Sequence, residues 1–379
     1  MASIDFTHAP FGELAIISMR GCEDIAASVD YYLSQWRETP EEHSFVVPAV
    51  CPRFGTGEGK GVLHHSARGL DAFILCDCFN HGVTYKMYGQ TVPMSPDDHY
   101  QDLKRVIAAL GGKARRITVI MPMLYEGRQH RRSSRESLDC AIMLQELMNM
   151  GVDNIITFDA HDPRVQNAIP LEGFDNVQAA YQMIKALLKT TPDLTIDRDH
   201  LMIVSPDEGG MGRCIYYSSV LGLDLGMFYK RRNYSVIVNG KNPIVAHEFL
   251  GSDIEGKDLI LVDDMISSGE SMLDIAKKLK DKGARRIFVF STFGLFVEGL
   301  EKFDEYYKDG YIDRVFTTNL IYQTPELLQR EWYCSVNMSK YIALLVDTLN
   351  CDNSISKLLD PADRIKKVVD KYNEGKTNK

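Results

Sequence analysis

Short apolar runs alternate with stretches whose apolar residues recur every three or four positions along almost the whole chain. The runs at 14–17, 72–75, 117–120, 155–158, 201–204, 225–229, 259–262, 287–290, 315–318 and 335–337 predict strands. Leu259-Ile260-Leu261-Val262 shows no polar alternation, as expected in a parallel sheet covered on both faces. Between the runs, helical spacing predicts helices over 23–36, 100–110, 137–150, 177–188, 272–279 and 340–348. Gly111-Gly112, Gly151 and Gly283 stand where three of these must stop. Such alternation predicts the α/β class, with mostly parallel central sheets flanked by helices. Residues 371–379 are polar and predict a disordered tail.

Two stretches look duplicated. Ala114-Arg115-Arg116-Ile117 and Ala284-Arg285-Arg286-Ile287 each open a strand after a glycine-closed helix, and Gly151-Val152-Asp153-Asn154-Ile155 repeats the arrangement. This suggests one domain over 1–172, a second over 173–345, and a C-terminal segment over 346–379. Glycine with a short polar link is also the ordinary helix-to-strand turn, so the repeat alone does not establish duplication.

Composition narrows the class. A chain of 379 residues accommodates two ordinary domains, and 45% hydrophobic with 25% charged residues is the balance of a soluble globular protein. The net charge of −9 argues against a general nucleic-acid binder, so any basic cluster reads as a local anion site. No apolar run reaches membrane-spanning length, and the first residues lack a basic segment followed by an apolar core. The eight cysteines form no C-x-x-C pair, which suits reduced thiols and a cytoplasmic location. Cys76 and Cys78, with His81 nearby, lack an evident fourth ligand and read as packing residues.

Chemistry concentrates at strand ends. The run 259–262 leads into Asp263-Asp264, then Ser267-Ser268-Gly269-Glu270-Ser271, then a helix. Backbone N–H groups at a helix start, with Ser267, Ser268 and Ser271, suit a phosphate dianion. Adjacent carboxylates suit vicinal sugar hydroxyls, directly or through a divalent cation. A 5-phosphorylated ribose satisfies both halves; the alternative is a plain turn whose carboxylates cap the helix. After the run 117–120, Arg128, Arg131, Arg132 and Arg135 crowd one loop and would repel one another without an anion, unless the loop is simply solvated. Phe158-Asp159-Ala160-His161-Asp162 suits a divalent cation or proton transfer, or is structural. Asp207 in Pro206-Asp207-Glu208-Gly209-Gly210 could hold Mg2+ against phosphates, or sit in an ordinary turn. Lys230-Arg231-Arg232 opens a polar loop suited to a lid over phosphoryl groups, or to a solvated turn.

In this order the motifs resemble the ribose-phosphate pyrophosphokinase (phosphoribosyl pyrophosphate synthetase) family, from about Ile16 to Leu359, with an apparent insertion around 83–96. The resemblance implies two phosphoribosyltransferase-like domains assembled into dimers and hexamers. It implies transfer of the β,γ-diphosphoryl group of ATP to ribose 5-phosphate, with Mg2+. Carried over onto this chain, it gives Arg128, Gln129 and Arg131 to ATP. Phe54 and Glu58 in Arg53-Phe54-Gly55-Thr56-Gly57-Glu58 go to the adenine, partly against a neighbouring subunit. His161 and Asp207 go to the metal, and Lys230, Arg232 and His161 to catalysis. Asp263, Asp264, Ser267, Ser268, Gly269 and Ser271 go to ribose 5-phosphate. The chain departs from the family pattern at Thr56 and His130, where aspartate is usual, and at Glu208, Ser267, Ser268 and Glu270. A phosphoribosyltransferase would need no arginine loop, and a non-catalytic regulatory homologue would keep the fold while losing residues at active loops.

Overall fold

The structure is a computed structural model that describes residues 9–40, 43–232 and 244–377, without the side chains of 230–232, 244–247 and 376–377. It divides into two compact units. Residues 1–178, 319–322 and 337–360 form the first; residues 179–318, 323–336 and 361–379 form the second.

The first unit holds a five-stranded, all-parallel sheet. Its order is Glu13–Ser18, Leu70–Leu75, Arg116–Ile120, Asn154–Phe158, Gly173–Val177. The inner strands are apolar on both faces, as a sheet covered by helices on both sides requires: Ala72, Phe73 and Ile74 are completely buried. Helix Glu23–Trp36 follows the predicted bounds. The helix expected at 100–110 begins earlier, at Pro96. Ser95 and Asp98 form a reciprocal capping box there, and Pro96 fills the first turn, where no N–H is needed. Strand Gly173–Val177 was not expected, because its sequence alternates too weakly. Helix Ser339–Asn350 returns to this unit and packs on Glu23–Trp36. Arg37 bonds Asp347 at 2.8 Å, and Asn350 bonds Asp71 at 2.9 Å.

The second unit holds seven strands in the order Ile244–Leu250, Asp224–Arg232, Leu201–Ser205, Asp258–Ile266, Arg286–Gly294, Arg314–Thr318, Tyr333–Val336. All pairs are parallel except Ile244–Leu250 with Asp224–Arg232. The polar segment expected as loop from Lys230 through Asn242 thus begins as strand, to Arg232, and strand Ile244–Leu250 was not expected. The tail expected to be disordered is helix Ala362–Thr377 as far as it is described. Ile365 is fully buried, and Tyr372 Oη donates to the carbonyls of Thr191 and Leu194 at 2.8 and 3.0 Å. Apolar residues at helical spacing within a polar segment are enough to seat it.

The stretches that look duplicated in sequence also match in structure. Asp71 lies in register with Arg116 and holds its guanidinium at 2.8 and 2.7 Å. Asp258 lies in register with Arg286 and bonds it at 3.1 and 2.7 Å. The N–H of Ile117 donates to the Asp153 carboxylate at 2.7 Å, and that of Ile287 to Asp313 at 2.8 Å. Both clamps sit where strands begin, which leaves the opposite strand ends for ligands.

Candidate active site

In the second unit the chain completes Leu201–Ser205, moves outward to Asp224–Arg232, then returns to the other side as Asp258–Ile266. That reversal is a topological switch point, where an open α/β sheet leaves a crevice beyond its strand ends. Loops 206–210 and 267–269 border it.

The strand expected to stop at Val262 continues to Ile266, so Asp263 and Asp264 are strand residues, with Asp263 opposite Ser291. Ile266 is 2% exposed, and its burial carries the pairing past the carboxylates. The turn is only Ser267-Ser268-Gly269. Burial, and then the charge of Asp264 beside it, push the Asp263 carboxyl well above the usual range; the positive charge of Arg213 opposes this. Asp264 is buried, and its N–H donates to Asp263 Oδ1 at 2.9 Å. Two crowded carboxylates gain from hydroxyl donors or a cation between them.

Gly269 starts helix Glu270–Asp281 at φ +81°, and a Cβ there would meet the Phe303 ring at 2.3 Å. Gly269 at the N-cap carries no side chain, so the N–H groups of Ser271 and Met272 remain for an anion. Ser268 Oγ accepts from the Glu270 N–H at 3.4 Å. Glu270 extends into solvent within 3.7 Å of Lys302 Nζ, which relieves the charge conflict its sequence position raises. Ser271, in the first turn, is exposed.

In loop 206–210, Asp207 Oδ1 accepts the N–H groups of Gly209 and Gly210 at 2.9 and 3.2 Å. That oxygen shapes its own turn before helix Met211–Leu221, while Glu208 stands in solvent. The backbone of Lys230 and Arg232 ends a strand, but their side chains and residues 233–243 lie outside the described residues.

In the first unit, the arginine loop follows Arg116–Ile120. Buried Met121, Met123 and Leu124 anchor it, and Tyr125 stacks on Tyr100 at 4.6 Å. Arg128, Arg131, Arg132 and Arg135 are exposed, and Gln129 Nε2 donates to the Ser137 carbonyl at 2.7 Å. His130 turns inward: Nε2 lies 3.4 Å from Asp162, and its ring centroid lies 5.4 Å from that of His161. The structure therefore gathers His130, His161 and Asp162 at the end of strand Asn154–Phe158. Hydrogen bonds from Arg164 hold Asp162 down at about 2, so it is a carboxylate at any ordinary pH. Asp159 takes φ +43° as the chain leaves the strand, a conformation tolerated by aspartate better than by most residues. Sequence reading had no means of pairing His130 with Asp162 or Arg213 with Asp263, because no spacing rule links residues on separate elements.

Phe54 is 57% exposed at the tip of a turn closed by its own N–H to the Glu58 carbonyl at 2.7 Å. Thr56 Oγ1 donates to Glu58 at 2.9 Å, so the residue that departs from the family pattern orients Glu58. Cys76 and Cys78 are buried core residues, and His81 packs edge-on against Tyr322.

Known proteins resemble this chain over most of its length. Residues 14–151 match the N-terminal domain of ribose phosphate pyrophosphokinase, and residues 233–360 match the phosphoribosyl synthetase-associated domain. The ribose-phosphate pyrophosphokinase of Vibrio cholerae is 27% identical over 321 residues, covering 82% of this chain and 91% of its own length. That of Shewanella oneidensis is 28% identical over 314 residues, covering 82% and 90%. The crystal structure of phosphoribosylpyrophosphate synthetase from Mycobacterium smegmatis shares the fold, with a TM-score of 0.72 at 20% identity over 89% of this chain and 98% of that one. No described helix is long and apolar enough to cross a membrane. The chain belongs to the ribose-phosphate pyrophosphokinase family.

Proposed function

We propose that the protein is a ribose-phosphate diphosphokinase, converting ATP and ribose 5-phosphate into phosphoribosyl pyrophosphate and AMP. The observation that carries this reading is buried Asp264 beside half-buried Asp263, separated by five residues from a helix start whose N-cap glycine carries no side chain, at a switch point. In this reading Asp263 and Asp264 accept the ribose 2- and 3-hydroxyls. Ser267, Ser268, Gly269 and Ser271 take the 5-phosphate on hydroxyl and backbone donors. O1 of the sugar attacks the β-phosphorus of ATP, the bond from that phosphorus to the α–β bridging oxygen breaks, and AMP leaves. The O1 proton passes to solvent or a base. Such transfer depends on positioning and charge neutralisation.

Arg128, Gln129 and Arg131 bind the triphosphate, Phe54 stacks on adenine, and Glu58 accepts a hydrogen bond from it. Lys230 and Arg232 neutralise the transferring group, and His161 is the remaining catalytic residue. Among the described residues no group of three or more His, Cys, Asp or Glu is gathered to hold a metal ion. Mg2+ bound largely through substrate phosphates needs only one or two protein ligands, and we assign His161 and Asp207 each as a ligand of Mg2+. Bound there, Mg2+ would supply charge neutralisation on the phosphate oxygens. By family likeness we assign a homo-oligomer built from dimers, extending to hexamers, and a cytoplasmic location consistent with eight free cysteines.

Purified protein given ATP, Mg2+ and ribose 5-phosphate is expected to form AMP only when the sugar phosphate is present. His161→Ala and Lys230→Ala are expected to lose most of that turnover. AMP formed without the sugar, or none under any condition, rejects the assignment.

A further inference from the structure

The stretch that stands out as an insertion folds into a hairpin, Thr84–Met87 with Gln90–Pro93. Its two central residues, Tyr88 and Gly89, both have positive φ, +48° and +80°, as a type I′ turn requires. Glycine or asparagine serves at the first of these positions with little strain; a bulky side chain does not. Tyr88 is nevertheless 77% exposed, so burial of its ring does not offset that strain.

The hairpin rests on the turn that carries Phe54 and Glu58. The Tyr88 N–H donates to the Gly55 carbonyl at 2.8 Å, one residue from Phe54. Gly57, at φ +95°, lies so close to Met87 that a Cβ would stand 2.9 Å from its Sδ. The Arg53 guanidinium lies 4.8 Å from the centre of the Tyr85 ring while pairing with Asp102 at 2.9 Å. Arg20 donates to the Thr84 carbonyl at 2.8 Å and ties down the hairpin's first strand. Phe54 and Tyr88 thus present two exposed aromatic side chains on one braced surface.

We propose that this hairpin is a nucleotide-base support. It holds the 53–59 turn in its binding shape and supplies Tyr88 as a second aromatic contact, with Phe54, for the purine of the nucleoside triphosphate. This rests on the reading that Phe54 and Glu58 receive adenine. A preformed turn lowers the ordering cost of binding, and stacking on an aromatic face favours a purine over the smaller pyrimidine ring.

Full-length wild type, Tyr88→Asn and Phe54→Ala are compared for AMP formation with ATP and with CTP, for calorimetric binding of α,β-methylene ATP, and for thermal midpoint. Tyr88→Asn suits the turn better, so it is expected to unfold at or above the wild-type temperature. It is expected to raise KM for ATP and the analogue's Kd about fivefold. Its kcat and its KM for ribose 5-phosphate should hold, and the ATP-to-CTP preference should shrink. Phe54→Ala should weaken nucleotide binding at least as much. If Phe54→Ala weakens it while Tyr88→Asn leaves KM and Kd unchanged, the hairpin proposal is overturned and the base-binding reading stands. If Phe54→Ala changes neither, both fall.

Discussion

Asp263 and Asp264 work against the fold. A carboxyl whose folded pKa lies above its unfolded value contributes stability at low pH, and that contribution is lost as pH rises through the folded value. The pair therefore weakens the folded state at neutral and alkaline pH, which is the cost of holding two acceptors side by side. Asp264→Asn removes the second charge and is expected to raise the thermal midpoint at pH 8 while lowering AMP formation by tenfold or more, roughly the effect of losing a charged hydrogen bond. Thermal scans at pH 5 and pH 8 check the sign: the gain must be larger at pH 8. A variant less stable at pH 8 would mean the two carboxylates are not in conflict. The two aspartates were legible in sequence because a continuous apolar run led into them. Their strand pairing was not, since it depends on Ile266 finding the core.

At the scale of elements, the Asp71–Arg116 and Asp258–Arg286 clamps fix strand register from the ends remote from the ligand loops. Both aspartates are completely buried, and Asp71 also accepts from Asn350. Asp71→Ala leaves a guanidinium and an amide without their shared acceptor, and should cost about 3 kcal/mol in urea unfolding with little change in KM for either substrate. Most strands and several helices could be read from apolar periodicity, because interior strands tolerate few polar residues. Several of the elements that escaped are ones periodicity does not mark. Strand Gly173–Val177 carries few apolar residues. Helix Glu301–Lys308 buries one side chain completely, Phe303. The hairpin turns on Tyr-Gly, which is outside the usual Asn-Gly signature. The capping residues Ser95 and Asp98 were present in the sequence and would have placed the start of helix Pro96–Leu110.

At the scale of the molecule, the first unit is not one stretch of chain. Helix Ser339–Asn350 belongs to it, and the main chain of Phe11 bonds that of Asn350 at 2.7 Å. A fragment ending at residue 178 lacks that helix and the partners it gives Arg37 and Asp71. It is expected to show non-cooperative urea unfolding, and added peptide 337–360 should restore a sigmoidal transition. Cooperative unfolding of the fragment alone would show that the returning helix is dispensable.

The return of that helix has a consequence for synthesis. The first strand leaves the ribosome early, yet Asn350 is translated only after every strand of the second unit. Until then the first unit waits with Asp71 and the inner face of helix Glu23–Trp36 uncovered. A ribosome that stops anywhere before residue 337 therefore releases an open first unit, exposed to chaperones and proteases, so the stretch that carries Asn350 decides whether that unit survives.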